Sequence, residues 1–141
     1  MVTRGIRVFA TVMVLASCSQ SAPGGAPSGP DGDKIVLTGD QKADWAQIVA
    51  LENEAQVLVK TDGCLSAGQC RTAPVGSRAC GGPRYYLVYC SRSTDSVALF
   101  RKLGAVAAGE REYNTKYKIM STCEFRLPPN AALTGGSCQA Q

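Results

Sequence analysis

Six cysteines in the last 78 residues constrain this chain more than any other feature: Cys64, Cys70, Cys80, Cys90, Cys123 and Cys138. A seventh, Cys18, stands far from them near the N-terminus. Cysteine at this density in a short chain marks an oxidising compartment, where thiols pair and staple a domain whose core is too modest to hold it alone. An odd total requires one cysteine with a different fate. The N-terminus supplies it. Residues 1–7 carry Arg4 and Arg7 and no acid, and residues 8–16 are an apolar run broken only by Thr11. This is the pattern of a secretory signal peptide, too short to span a bilayer as a helix.

Leu15-Ala16-Ser17-Cys18 has the form of a bacterial lipobox: an apolar residue, two small ones and an acceptor cysteine. The expectation is therefore a signal peptide over residues 1–17, cleavage before Cys18, and lipid on its sulfur. Acyl chains contribute about 0.8 kcal/mol per buried methylene, so two or three of them hold a protein at a membrane without a transmembrane helix. Ser19 follows the acceptor where an Asp would signal retention in the inner membrane. The expected location is the cell envelope, lipid-anchored, at the outer membrane facing the periplasm. Residues 18–32 read as the lipidated cysteine and a disordered linker, because Ser, Ala, Pro and Gly offer too little apolar surface to order a chain. One domain remains, residues 33–141, large enough for a real but modest core.

Charge is modest. Loss of Arg4 and Arg7 leaves 13 basic residues against 11 acidic ones. Between residues 60 and 102, Lys60, Arg71, Arg78, Arg84, Arg92, Arg101 and Lys102 face only Asp62 and Asp95. Such an excess suits a solvated face, or contact with an acidic envelope partner. It does not point to nucleic acid.

Hydrophobic periodicity gives the elements. Residues 38–60 read as a helix, capped by Thr38 or Asp40, with Trp45, Ile48, Leu51 or Glu52, Ala55 and Leu58 or Val59 at helical spacing and Asp62-Gly63 beyond its end. Trp45 is expected in the core. Residues 71–75 and 84–90 read as strands, the second carrying Tyr85-Tyr86-Leu87-Val88-Tyr89. Ser93-Thr94-Asp95 opens a second helix whose stripe is Leu99, Leu103, Val106, Glu110, Tyr113, Tyr117 and Met120. Residues 123–127 alternate apolar and charged, the pattern of a half-buried strand. Residues 131–140 suggest one more strand, or a pair, interrupted by Gly135-Gly136. The fold class is α+β: two helices packed on a small antiparallel sheet of three to four strands, stapled by disulfides.

Chemistry is defined largely by what is missing. The chain has no histidine, which removes Ser-His-Asp and Cys-His catalysis and the mixed Cys/His zinc sites. The cysteine spacings do not suit an all-Cys metal site, and no glycine-rich phosphate loop joins a strand to a helix. Glu52 with Glu54, and Glu110 with Glu112, lie two apart on helices and point in different directions, so neither makes an acid/base pair. No enzyme activity, metal or cofactor is expected.

The most unusual motif is Cys80-Gly81-Gly82-Pro83-Arg84 followed by Tyr85-Tyr86-Leu87-Val88-Tyr89. With Cys64 and Cys70-Arg71 before it, Tyr113-Asn114, Ser121-Thr122-Cys123 and Pro128-Pro129 after it, it resembles a group of small proteobacterial lipoproteins and secreted proteins that share Cys-Gly-Gly-Pro and a Tyr-Leu-Val-Tyr-like strand. The resemblance spans residues 64–138 and implies location and fold but carries no activity. That pattern has a serine in the place of Cys90, which leaves the partner of Cys90 open. The structural reading of the motif is a tight turn pinned by a disulfide. The functional reading is a rigid loop, Arg78, Gly81, Gly82, Pro83 and Arg84, presented to a partner.

Strand pairing suggests a connectivity. A hairpin of residues 71–75 and 84–90 centred near Cys80 places Cys70 opposite Cys90. Pairing of residues 123–127 with the C-terminal strand places Cys123 opposite Cys138, leaving Cys64 for Cys80. The function expected is a binding module tethered in the envelope, for example an inhibitor of a periplasmic hydrolase. The alternative is a structural or assembly accessory of the outer membrane.

Overall fold

The structure is a computed structural model and describes residues 33–141. The expected signal peptide, the lipobox motif with Cys18 and the expected linker lie outside the described residues.

Helix α1 spans Gln41–Leu58 and α2 spans Ser96–Lys116. Each begins at an aspartate whose side chain accepts the N–H of the third residue on: Asp40 from Ala43 at 2.9 Å and Asp95 from Ala98 at 3.0 Å. These bonds satisfy donors that a helix start otherwise leaves open. The two helices pack along each other, burying Ile48 and Leu51 of α1 against Val106 and Tyr113 of α2, with Ile35 from the preceding segment closing that side. Trp45 joins this cluster as expected, its ring 5.2 Å from that of Tyr113.

Strands β1 (Cys70–Val75) and β2 (Tyr85–Cys90) form an antiparallel hairpin in the expected register, Cys70 opposite Cys90 and Val75 opposite Tyr85. Ala73, Val75 and Tyr89 pack on Leu99 and Leu103 of α2 and Ala55 of α1. Strands β3 (Ala131–Thr134) and β4 (Ser137–Ala140) form a second hairpin. Gly135 and Gly136 are its two-residue loop, both at positive φ (59° and 82°), which the favoured hairpin turn demands. The architecture is thus α+β, with its four strands divided between two small antiparallel sheets.

Residues 123–127 are not a strand. The partner they would need is taken, since β4 pairs with β3 inside its own hairpin. Phe125 and Leu127 are exposed as a result, and Met120, beyond the end of α2, is 92% exposed where the stripe placed it in the core.

All six cysteines pair, but not as expected: Cys64–Cys90, Cys70–Cys138 and Cys80–Cys123. The cause lies in residues 60–62, between α1 and the first disulfide. Lys60 O accepts the N–H of Cys90 at 2.7 Å, Thr61 O accepts that of Cys138 at 2.7 Å, and Asp62 bridges Ser137. This short stretch lies against β2 on one side and β4 on the other, and carries Cys64 to Cys90. Cys70, facing Cys90 across the ladder, is met instead by Cys138, and the four half-cystines form one buried cluster with Val88, Ala131 and Leu133 around it.

Candidate functional site: a doubly anchored loop pair

The longest connection of the first hairpin, residues 76–84, meets the coil of residues 117–130 at one end of the molecule. Arg84 N donates to Val75 O at 2.8 Å and closes the base of the hairpin loop, while Arg78 N donates to Gly82 O and Gly81 N to Arg78 O, both at 2.9 Å, and fold its tip. Gly81 and Gly82 are exposed at that tip with positive φ. The tip is bonded to the second loop by Cys80–Cys123. Cys80 N also donates to Ser121 Oγ at 3.0 Å, Arg126 Nη1 to Arg84 O at 3.0 Å, and Tyr86 OH to Arg126 O at 3.3 Å.

The base is held by charge. Arg84 lies between Glu110 of α2, whose Oε1 is 2.6 Å from its Nε, and Glu52 of α1, which meets its Nη2. Tyr85 OH donates to Glu52, Gln56 Nε2 donates to Tyr85 OH at 2.8 Å, and Ser77 N donates to the second oxygen of Glu110. Asn114 Nδ2 donates to Ser77 O at 2.8 Å. Gly76 is obligatory in this knot: it has φ +74°, and a Cβ there would collide with Glu110 Oε2 and stand 2.7 Å from Arg84 Nε. Burial pushes the Glu110 carboxyl up, against the opposing pull of the Ser77 N–H and Arg84. Burial also opposes the charge on Arg84, but Glu110 and Glu52 outweigh it and raise its pKa. Two carboxylates on one guanidinium leave one negative charge.

The sequence therefore placed five residues together as a presented loop, and the structure divides them. Gly81 and Gly82 are exposed and Pro83 lines an outer cavity of 410 Å³ with Tyr86, Phe125, Arg126 and Pro128. Arg84 is turned inward and is structural. Arg78 is mostly buried, its side chain 14% exposed, and sits between that cavity and a second one of 360 Å³ on the Trp45 side. The second loop was not anticipated as part of a site. Met120, Phe125 and Leu127, at 92%, 87% and 71% exposure, are its exposed large apolar side chains. The signal for it was Cys123 lying beside Phe125, Leu127 and two prolines with no free strand to pair with. Sequence spacing sets Glu52 beside Glu54 and Glu110 beside Glu112, and the fold instead sets Glu52 and Glu110 against each other across Arg84.

The sulfurs of Cys64, Cys70 and Cys138 lie within 4.8 Å of one another. Both bonds of that cluster are closed, so it offers no thiolate to a metal. Among the described residues, no helix is long and apolar enough to cross a membrane. Compared with models of known families, with curated proteins and with solved structures, the chain matches none.

Proposed function

We propose that this chain is an envelope-anchored, non-catalytic binding module that captures a protein partner on the loop pair, in the manner of an inhibitor of a periplasmic hydrolase. The observation that carries the reading is the conjunction of Met120, Phe125 and Leu127, all exposed, with a disulfide and a charge knot that hold their surroundings rigid. Large apolar side chains left exposed on one loop are candidates for an interaction surface, and a loop tied down by covalent and ionic bonds avoids the ordering cost that weakens mobile ones.

The entry point of the domain supports the same reading. Asp33 pairs with Arg101 at 2.9 Å and Lys102 at 2.9 Å near the start of α2. The loop pair abuts Asn114 near its end, about 18 Å away at 1.5 Å per residue. A lipid on Cys18 would hold the domain from one pole and leave the loop pair at the other.

The test is capture from detergent-solubilised envelopes with the full-length chain, tagged at its C-terminus, beside the Phe125→Ser/Leu127→Ser variant. A single hydrolase held in stoichiometric amount by the first, lost by the second, and slowed when bound supports the reading. Capture that both chains share equally sinks it. A multi-protein assembly complex in place of a hydrolase favours the accessory role.

A further inference from the structure

We propose that the 360 Å³ cleft between Trp45 and the hairpin loop is a subsite for a single carboxylate carried on an apolar group, with Arg78 as its cation. The inference rests on the binding-module reading and names the chemistry that one part of the partner brings.

Arg78 is the reason. A guanidinium removed from water needs acceptors for its five N–H groups. The Arg78 Nε is buried and has no hydrogen-bond partner among the described residues. The nearest carboxylate is that of Glu124, 3.7 Å from Nη1, too far for a hydrogen bond, 61% exposed, and already bonded to Arg126 at 3.2 Å. A buried polar atom left in this state costs stability unless a partner arrives to satisfy it. The Nε has no exposed surface, so the guanidinium must turn towards the cleft for an arriving carboxylate to take two of its N–H groups side by side, the geometry that favours arginine for such ligands.

The rest of the cleft suits the same ligand. Ser121 Oγ accepts from Cys80 N, so its own proton remains available to donate. Asn114 has used one amide hydrogen on Ser77 O and keeps the other. The tilted Trp45 and Tyr113 rings, with Ile119, make an apolar wall. Charge selects the valence. Arg84 and Glu110 line the cleft themselves, with Glu52 paired to the same guanidinium, so their knot is net negative and roughly cancels Arg78. A dianion such as a phosphate monoester meets that residual charge, whereas a monoanionic carboxylate paired with Arg78 does not add a second one. Glu124 then acts as a weak internal competitor that the ligand displaces.

Trp45 is the only tryptophan of the chain and lines the cleft, so its fluorescence reports occupancy. The full-length protein is titrated with N-acetylphenylalanine and with its amide. The acid should give a saturable change and bind about tenfold or more tightly than the amide, the size of a lost charged hydrogen bond. Arg78→Gln should abolish that preference, Arg78→Lys should keep part of it, and Glu124→Gln should tighten the acid while leaving the amide unchanged. A thermal melt of each variant separates loss of the subsite from loss of the fold. Equal response to acid and amide, no response to either, or a preference that survives Arg78→Gln overturns the proposal. If the Arg78→Gln chain still captures its envelope partner through Phe125 and Leu127, the binding-module reading stands and only the carboxylate subsite falls.

Discussion

Removal of the staple between the two loops, by Cys80→Ser with Cys123→Ser, has a magnitude that follows from the connectivity. Cys80 and Cys123 are 43 residues apart, and in the loop-closure treatment a loop of that length contributes about 4 kcal/mol. The other two bonds shorten the real loop. With Cys70–Cys138 closed, the path from Cys80 to Cys123 runs back to Cys70, across the bridge, and from Cys138 to Cys123, about 25 residues, which lowers the figure to about 3.5 kcal/mol. For a domain of this size, unfolding entropy near 2.1 cal/mol/K per residue converts that into a fall of about 15 °C in Tm. Calorimetry of the oxidised double variant beside the wild type measures it, with thiol titration to confirm that the remaining two bonds are closed. Helix content should be unchanged, because neither Cys80 nor Cys123 lies in a helix or packs in the α1–α2 cluster. A drop under about 4 °C, or about 1 kcal/mol, would refute the reasoning. It would mean that the loops are ordered by the Arg84 knot alone and that the bond constrains little in the unfolded chain.

Further outcomes follow from other sites. Arg84→Met leaves the carboxylates of Glu52 and Glu110 facing each other without their cation and should cost about 3 kcal/mol in a urea titration, with Glu110→Gln in the same chain recovering part of the loss. Phe125→Ser with Leu127→Ser should change stability by no more than about 0.5 kcal/mol, since both side chains are already in water, while abolishing capture of the partner. Burial, together with the carboxylates of Glu52 and Asp44, pushes Tyr85 and Tyr117 respectively up to about 12. Both therefore ionise later in the folded chain than their ordinary 10.0, so the stability they contribute is whole below pH 10 and is lost as pH rises towards about 12. Tyrosinate absorbance should show these two among the late members of the five tyrosines, coinciding with alkaline unfolding. Cys18→Ser should leave the protein unprocessed or free of the membrane, and mass spectrometry showing an unmodified mature N-terminus at another residue would exclude lipidation.

Local rules carried the sequence reading a long way. The starts of both helices, to within the choice of Thr38 or Asp40 and of Ser93, Thr94 or Asp95 as cap, the stripe from Leu99 to Tyr113 and the β1–β2 register all follow from spacing, because each is decided by residues near one another in the chain. The disulfides did not, because residues 60–62 pair with two strands at once through backbone atoms that no side-chain pattern records. The alternation at residues 123–127 met the requirement for a strand, but a strand also needs an open ladder, and the Gly135-Gly136 turn had closed β4 onto β3. In the loop pair, Cys80 to Pro83 announced itself by composition. Its charged foundation did not: Glu52, Arg84 and Glu110 are 32 and 26 residues apart in successive steps along the chain and meet only in three dimensions.

The facing of Cys70 and Cys90 across the first hairpin carries a consequence for how the protein matures. Hairpins close in about 1–10 μs, whereas thiol oxidation and reshuffling take seconds to hours. A reduced chain meeting an oxidant therefore offers these two sulfurs to each other before β4 has arrived, and the bond most readily made is one the finished protein lacks. Maturation then passes through its own error: the Cys64 thiolate attacks the Cys90 sulfur of that bridge, or Cys138 attacks that of Cys70, the other strand cysteine leaves as a thiolate, and a second equivalent of the oxidant joins it to the remaining cysteine, completing Cys64–Cys90 and Cys70–Cys138. The chain is a natural client for a disulfide isomerase, and trapping the early one-disulfide species with a thiol-blocking reagent should recover Cys70 linked to Cys90.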